Sequence, residues 1–282
     1  MAAKQEPIIS IITCTFNSEK YLPKALESIE NQEYQHIEHI INDSYSTDRT
    51  LQIIQDYIQR NKKRYEIRLI QSDPKGVGNA LNVATKEATG DLIHYLHSDD
   101  YYLNSSSLKK VAAFFIKDPD LVWLTGNFLV DVQGRSIAIP QTLLLKINPR
   151  QALYAMNFIS HENTFMKRGA VQTYGGFNEE DNEVVEYSLW LKLIKDHLPL
   201  VVNDEYTAFI IHKGSRSTGS LIKFSKALIR AFRTQHKEKV FPLLGPYQDR
   251  RSYIQTKKIL KKLEELKSFM DFKHIDLFDS PE

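Results

Sequence analysis

Two adjacent carboxylates, Asp99 and Asp100, close the run Leu92-Ile93-His94-Tyr95-Leu96-His97-Ser98-Asp99-Asp100. Leu92 to Leu96 is apolar, follows the Gly90-Asp91 break and reads as a buried strand. In an open α/β sheet, ligands bind beyond the carboxyl ends of the strands, so the acidic pair is expected to point into a site. Carboxylate oxygens are the donors taken by hard cations such as Mg²⁺ and Mn²⁺, which share their coordination with substrate phosphates. The chemistry suggested is a cation bridging a diphosphate. An acidic pair also suits an ordinary surface turn, and these residues alone leave both readings open.

The elements that would position the pair alternate. Apolar patterning predicts strands over 8–16, 37–41, 65–70, 92–96 and 121–130, with helices over 19–31, 50–59, 76–88 and 105–116. Ser18 and the Ser46-Thr47-Asp48 run are placed to start the first two helices. Repeated strand–helix units of this length imply a mostly parallel sheet with right-handed crossovers, an α/β fold. The turn after the first strand is Thr15-Phe16-Asn17-Ser18. It is neither a GxxxxGK[ST] phosphate loop nor a GxGxxG fingerprint, so the nucleotide-hydrolase and dinucleotide oxidoreductase readings lose their best support. Further on, Gly175-Gly176-Phe177 precedes a predicted helix over 186–196 carrying Tyr187, Leu189, Trp190, Leu193 and Ile194. Stretches 221–232 and 254–270 read as basic amphipathic helices.

Composition bounds the rest. The 282 residues, 42% hydrophobic and 26% charged, suit a soluble globular chain with a substantial core. Cys14 is the only cysteine, which excludes an intramolecular disulfide and a cysteine zinc site, and its place in an apolar strand makes it a buried hydrophobe. The short polar start lacks the features of a signal peptide, and no segment has the roughly 20 apolar residues that span a bilayer, so cytoplasmic residence is expected. Net charge is +2, yet Leu221 to Lys267 holds 13 Lys/Arg against 4 Asp/Glu. That segment either lies on an anionic membrane surface, on the inner face of the cell membrane, or packs its apolar side on the domain. No interleaving of basic and aromatic residues supports nucleic-acid binding.

Several motifs in order carry a resemblance. Ile9 to Ser18, Leu22, Ser28-Ile29, Asn31-Gln32, Ile40 to Thr50, Lys75-Gly76, His97-Ser98-Asp99-Asp100, Gly175-Gly176-Phe177 and Glu186 to Trp190 together resemble the family 2 inverting glycosyltransferases of GT-A fold. The likeness runs from about Ile8 to Gly214. It implies a GT-A domain over 1–219, with a nucleotide-binding half at about 7–130 and an acceptor half at about 131–219. A basic helical region over 220–282 would follow.

The resemblance also implies roles. Thr15, Phe16 and Asn17 would line the base and ribose pocket, and Asp43 would accept a hydrogen bond from the base. A carboxylate can read the imide N–H of uracil or thymine, or the amino edge of guanine. The alternative for Asp43 is capping of the next helix, and Asp48 is expected to support helix initiation. Lys75 would sit near the donor phosphates or be a solvated turn lysine. Asn79 stands where the family often has Asp, near the sugar pocket. The acidic tetrad matches the DXD-type element. Asp100 would ligate Mn²⁺ or Mg²⁺, and Asp99 and Ser98 would face ribose or sugar hydroxyls, Asp99 also reaching the metal. His97 is expected to pack rather than ligate. His212 is expected as a further metal ligand in a late loop over the donor, where Lys213 or Arg216 would clamp phosphate or simply be solvated. His161 and Glu162 resemble an acceptor-side pair that would orient the acceptor or the diphosphate, the alternative being a structural histidine.

Inverting transfer needs a carboxylate base. The family spacing from Phe177 lands on Glu186, with Val185 in place of the usual preceding acid, and Asp181 is the fallback. Trp190, one turn beyond Glu186, is either core or an acceptor platform. The implied donor is a UDP-, GDP- or dTDP-linked sugar, and the implied acceptor is a hydroxyl of a glycan or lipid-linked glycan in surface polysaccharide synthesis. The departures at Asn79, His97, Val185 and Glu186 motivate an alternative, a catalytically impaired domain that binds nucleotide or glycan as a scaffold.

Overall fold

A computed structural model of the chain describes residues 6–132, 135–139, 149–155, 157, 159–180 and 185–211. The strands are β1 (Ile9–Thr15), β2 (Ile37–Asp43), β3 (Glu66–Gln71), β4 (Leu92–Tyr95), β5 (Asp100–Tyr102), β6 (Trp123–Val132), β7 (Arg135–Ile139), β8 (Thr164–Lys167) and β9 (Leu200–Ile211). The helices are α1 (Leu22–Glu30), α2 (Thr50–Asn61), α3 (Val77–Glu87), α4 (Ser107–Lys117), α5 (Pro149–Ala155), α6 (Arg168–Tyr174) and α7 (Tyr187–Asp196). A 3₁₀ turn covers His161–Asn163.

The sheet runs β3-β2-β1-β4-β8-β6-β9-β5, with β7 added to β6. β3, β2, β1 and β4 are parallel, as the strand–helix alternation predicts. Beyond β4 the sheet becomes mixed. β8 enters antiparallel between β4 and β6, β9 runs parallel to β6, and the three-residue β5 pairs antiparallel with β9. β5 and β8 are too short to carry a period, and their partners are remote in sequence.

Both faces of the parallel strands are buried, which is why they read as near-continuous apolar runs. Ile9, Ile11, Ile37 and Ile41 pack with α1, α2 and α4 on one face, while Ile12, Ile40, Ile93 and Tyr95 pack with α3 and α7 on the other. Cys14 packs against the second cluster, and burial pushes its thiol up to about 12, leaving no thiolate for chemistry.

The first helix starts later than predicted, and the second starts where predicted. α1 begins at Leu22 rather than Glu19, because Ser18 turns its hydroxyl to Phe16 N–H and to Ser98 Oγ instead of capping. α2 begins at Thr50, and Asp48 supports that start by accepting from the amides of Thr50 and, across the loop, Glu19. No helix among the described residues is long and apolar enough to cross a membrane. The basic region 220–282 lies outside the described residues.

Candidate active site

The turn after β4 is held from beneath. Thr13 Oγ1 donates to the carbonyl of Leu96 at 2.8 Å and therefore accepts from His39 Nε2 at 3.0 Å. Past Leu96 the chain closes on itself, with Asp100 N–H donating to His97 O and His97 N–H to Asp100 Oδ2. Asp100 is 3% exposed. Burial first, then the charges of Asp99 and Glu162, push its carboxyl well above the usual range. Three carboxylates this close are a demand for positive charge.

The 3₁₀ turn brings the other half. His161 Nε2 lies 2.5 Å from His97 Nε2, with the rings perpendicular, and 3.4 Å from Glu162 Oε1. One ligand atom each from His97, His161 and Glu162 fall within 4.8 Å of one another. Burial would raise the Glu162 carboxyl, but His161 and His97 outweigh it and hold it below its ordinary value.

This turn is fixed by a residue the patterning passed over. His94, inside β4, stacks on Phe165 at 3.9 Å between ring centroids. Its Nε2 donates to the carbonyl of Glu162 at 2.8 Å, so Nδ1 accepts from the Tyr102 hydroxyl at 2.6 Å. Burial pulls its pKa down to about 3, and the ring stays neutral. Thr207 Oγ1 donates to the same Glu162 carbonyl, and Asn163 Oδ1 accepts from the amides of Tyr206 and Thr207. His94 thus ties the strand that carries Asp100 to the turn that carries His161 and Glu162. A histidine interrupting an apolar strand was the available signal.

Glu186 stands at the N-terminus of α7. Its Oε1 accepts from Asn157 Nδ2 at 2.7 Å and its Oε2 lies 3.9 Å from His161 Nδ1. Burial raises its pKa above the ordinary glutamate value, with His161 opposing. Asn157 leaves its Oδ1 buried without a hydrogen-bond partner. That acceptor is of the kind a substrate hydroxyl satisfies. Sequence reading gave no role to Asn157, which lies in a stretch of irregular pattern.

The loops beyond β1 and β2 form the other wall. Asp43 is fully buried, and its Oδ1 accepts from Thr15 Oγ1 and Ser46 Oγ. Oδ2 accepts from Ser46 N–H at 2.8 Å and meets Gln71 Nε2 only at 3.5 Å. Asn17 has a left-handed φ of 49° and accepts Thr47 N–H, stitching the two loops, while Phe16 is 58% exposed. Ser98 meets Ser18 at 3.0 Å and so joins this wall to the acidic turn.

Asn79 Nδ2 donates to Glu179 Oε2 at 2.8 Å. Asn82 holds the same loop through Glu179 and through both backbone groups of Phe177. Gly175 and Gly176 have φ of 85° and 68°, and a Cβ on Gly176 would strike the Asn82 carbonyl, which explains the glycine pair. Lys75 is 68% exposed in its side chain and lies 3.6 Å from Asp73. Geometry therefore places it in solvent.

The structure decides between the two readings of Trp190 and places His97 beside His161. Trp190 has no exposed surface: it stacks on Trp123 at 5.5 Å and donates Nε1–H to Ile159 O, so it is core and cannot offer an acceptor platform. His97, expected to pack, lies edge-on to the His161 ring and also stands with His161 and Glu162 in the candidate cation cluster. Asp181, His212, Lys213 and Arg216 lie outside the described residues. Because Trp190 fills the core beneath the 161–163 turn, Trp190→Ala is expected to cost about 3–5 kcal/mol of unfolding free energy. Urea titration checks this, and a loss below about 1 kcal/mol would place the ring at a surface.

Comparisons with known proteins place the chain among relatives. The family model for glycosyl transferase family 2 matches residues 10–175. The chain is 35% identical over 146 residues to poly(ribitol-phosphate) β-N-acetylglucosaminyltransferase TarS of Staphylococcus aureus. That match covers 51% of this chain and 24% of TarS, so the chain spans about a quarter of that relative's length. The crystal structure of S. aureus TarS 1-349 in complex with UDP-GlcNAc superposes with a TM-score of 0.66 at 21% identity, covering 94% of this chain and 74% of that one. A mannosyltransferase of Pyrobaculum calidifontis, in complex with GDP-Man and Mn²⁺, gives a TM-score of 0.66 at 15% identity over 93% of this chain and 76% of its own. At these identities the structural matches speak for the fold.

Proposed function

The chain belongs to glycosyl transferase family 2, and from that premise we propose that it moves a sugar from a nucleotide diphosphate sugar to a hydroxyl of a glycan or lipid-linked acceptor, with inversion at the anomeric carbon. The observation that carries this reading is the convergence of Asp100, His97, His161 and Glu162 with Glu186 in one place, linked by contacts of 2.5–3.9 Å. These residues come from three separate stretches of chain.

The donor set fits a divalent cation. Imidazole nitrogens and carboxylates together suit Mn²⁺ better than Mg²⁺, which prefers oxygen alone. His97, His161 and Glu162 would hold it, with Asp99 and Asp100 beside them and His212 as a further candidate. When bound, it supplies charge that offsets the negative charge developing on the leaving diphosphate.

The chain's own residues do the remaining work. Thr15, Phe16, Asn17 and Asp43 hold the nucleoside end, Ser98 connects that wall to the acidic turn, and Asn79 faces the sugar side. Glu186 accepts the proton of the acceptor hydroxyl as the new glycosidic bond forms and the sugar–phosphate bond breaks. Its raised pKa makes it a stronger base than a solvated glutamate. Asn157 keeps the Glu186 carboxylate oriented. Residues 1–219 would make the catalytic unit and 220–282 a basic appendage suited to an anionic membrane surface on the cytoplasmic side.

Thermal unfolding with UDP, GDP and dTDP, each with Mn²⁺, tests this directly. At 100 times its Kd the cognate nucleotide is expected to stabilise the fold by about 2.7 kcal/mol, a rise of several degrees in Tm. No shift with any of the three would contradict the reading.

A further inference from the structure

Five large apolar side chains are exposed among the described residues: Ile8, Phe16, Tyr45, Leu198 and Leu200. Ile8, Leu198 and Leu200 lie at the starts of β1 and β9, away from the site. Phe16 and Tyr45 are the aromatic ones, and both stand at the carboxyl ends of neighbouring parallel strands. Thr15 and Asp43 are partners across β1 and β2, so Phe16 follows one residue beyond that pair and Tyr45 two beyond it.

Tyr45 is costly where it is. Its φ of 56° lies in the left-handed region, which a bulky aromatic residue rarely adopts. The conformation is imposed from both sides: Ser44 N–H donates to Thr15 O at 2.9 Å, and Ser46 N–H and Oγ donate to the Asp43 carboxylate at 2.8 and 2.5 Å. Glycine or asparagine would satisfy this backbone with less strain. The fold gains little from the tyrosine in return, since the residue is 52% exposed. Strain of this kind is retained where a function uses it.

We propose that Tyr45 is a nucleobase-contacting residue, its ring forming with Phe16 an aromatic wall on which the base of the bound nucleotide stacks. The proposal rests on the reading of this site as a nucleotide-sugar site and adds to it a base-binding residue. A flat, sequence-tolerant aromatic contact of this type holds any base by its π-face. Selection among bases then falls to the Asp43 edge.

Isothermal titration of the full chain with UDP, GDP, dTDP and inorganic pyrophosphate, each with Mn²⁺, tests it. Tyr45→Gly and Tyr45→Asn are expected to weaken the best nucleotide by roughly 5- to 100-fold, the range of one base–aromatic stack. Pyrophosphate affinity should stay within twofold, and Tyr45→Phe should keep the nucleotide affinity of the unaltered chain. Because both variants relieve backbone strain, Tm is expected to hold or to rise by roughly 1–4 °C. Unchanged nucleotide affinity in both variants would overturn the proposal. So would equal weakening of nucleotide and pyrophosphate, or a fall in Tm that accounts for the lost binding, because each assigns Tyr45 to loop architecture. If the unaltered chain binds none of the three nucleotides, the functional reading itself fails and this proposal with it.

Discussion

Glu186→Gln is expected to lower kcat by about 10²- to 10⁴-fold, the usual contribution of a positioned general base. Nucleotide affinity should be unaffected, since Glu186 touches Asn157 and His161 rather than the loops beyond β1 and β2. The pH dependence follows from its raised pKa. The base must be ionised to accept a proton, so the acidic limb of kcat/KM lies above the ordinary glutamate value and should be absent from the residual activity of the variant. Stability has the opposite sign. Burial raises the folded-state pKa above the unfolded one, so the protonated form favours folding, and that advantage is lost as pH rises through the folded value. Glu186→Gln removes the buried charge, and its Tm should exceed that of the unaltered chain at neutral pH, with the gap closing below about pH 4.5. A variant retaining turnover within twofold would move the base elsewhere, with Asp181 the next residue to test.

His97→Ala is expected to raise the Mn²⁺ concentration needed for half-maximal turnover by about 10- to 100-fold, with activity partly restored at high Mn²⁺. Chelation of divalent ions should remove activity from the unaltered chain, since a bound cation contributes several kcal/mol of charge stabilisation in the transition state. The Mn²⁺ titration of donor hydrolysis separates two ligand sets. An unshifted midpoint in His97→Ala would return the cation to Asp99, Asp100 and His212 alone, with His97 as packing. A shifted midpoint assigns it to the imidazole cluster.

Much of the fold was legible because the parallel strands are buried on both faces and therefore read as continuous apolar runs. Ile9–Thr15, Ile37–Asp43 and Leu92–Tyr95 fall within two residues of their predicted bounds. The mixed half of the sheet was not legible. β8 is four residues long, β5 is three, and neither pairs with a sequence neighbour. The acidic turn and Glu186 could be named from residue type and motif order, but their convergence could not, because it depends on His94 and Thr207 gripping one carbonyl of the 161–163 turn from two strands. His97 could not be placed from sequence for the same reason: two residues from Asp99 it is one more turn residue, and only the fold brings His161 to within 2.5 Å of it. Trp190 shows the converse, since one helical turn from Glu186 is close in sequence yet lands in the core beneath the site.

Anomalous diffraction at the manganese edge, from crystals grown with Mn²⁺ and the nucleotide that gives the largest thermal shift, tests the central claim most directly. A peak within bonding distance of His97 or His161 together with an oxygen of Asp99, Asp100 or Glu162, with the nucleotide's two phosphates against it and Glu186 facing the open side, is the result this account predicts. A peak remote from those five side chains, or a diphosphate bound away from the loops beyond β1 and β4, would contradict it.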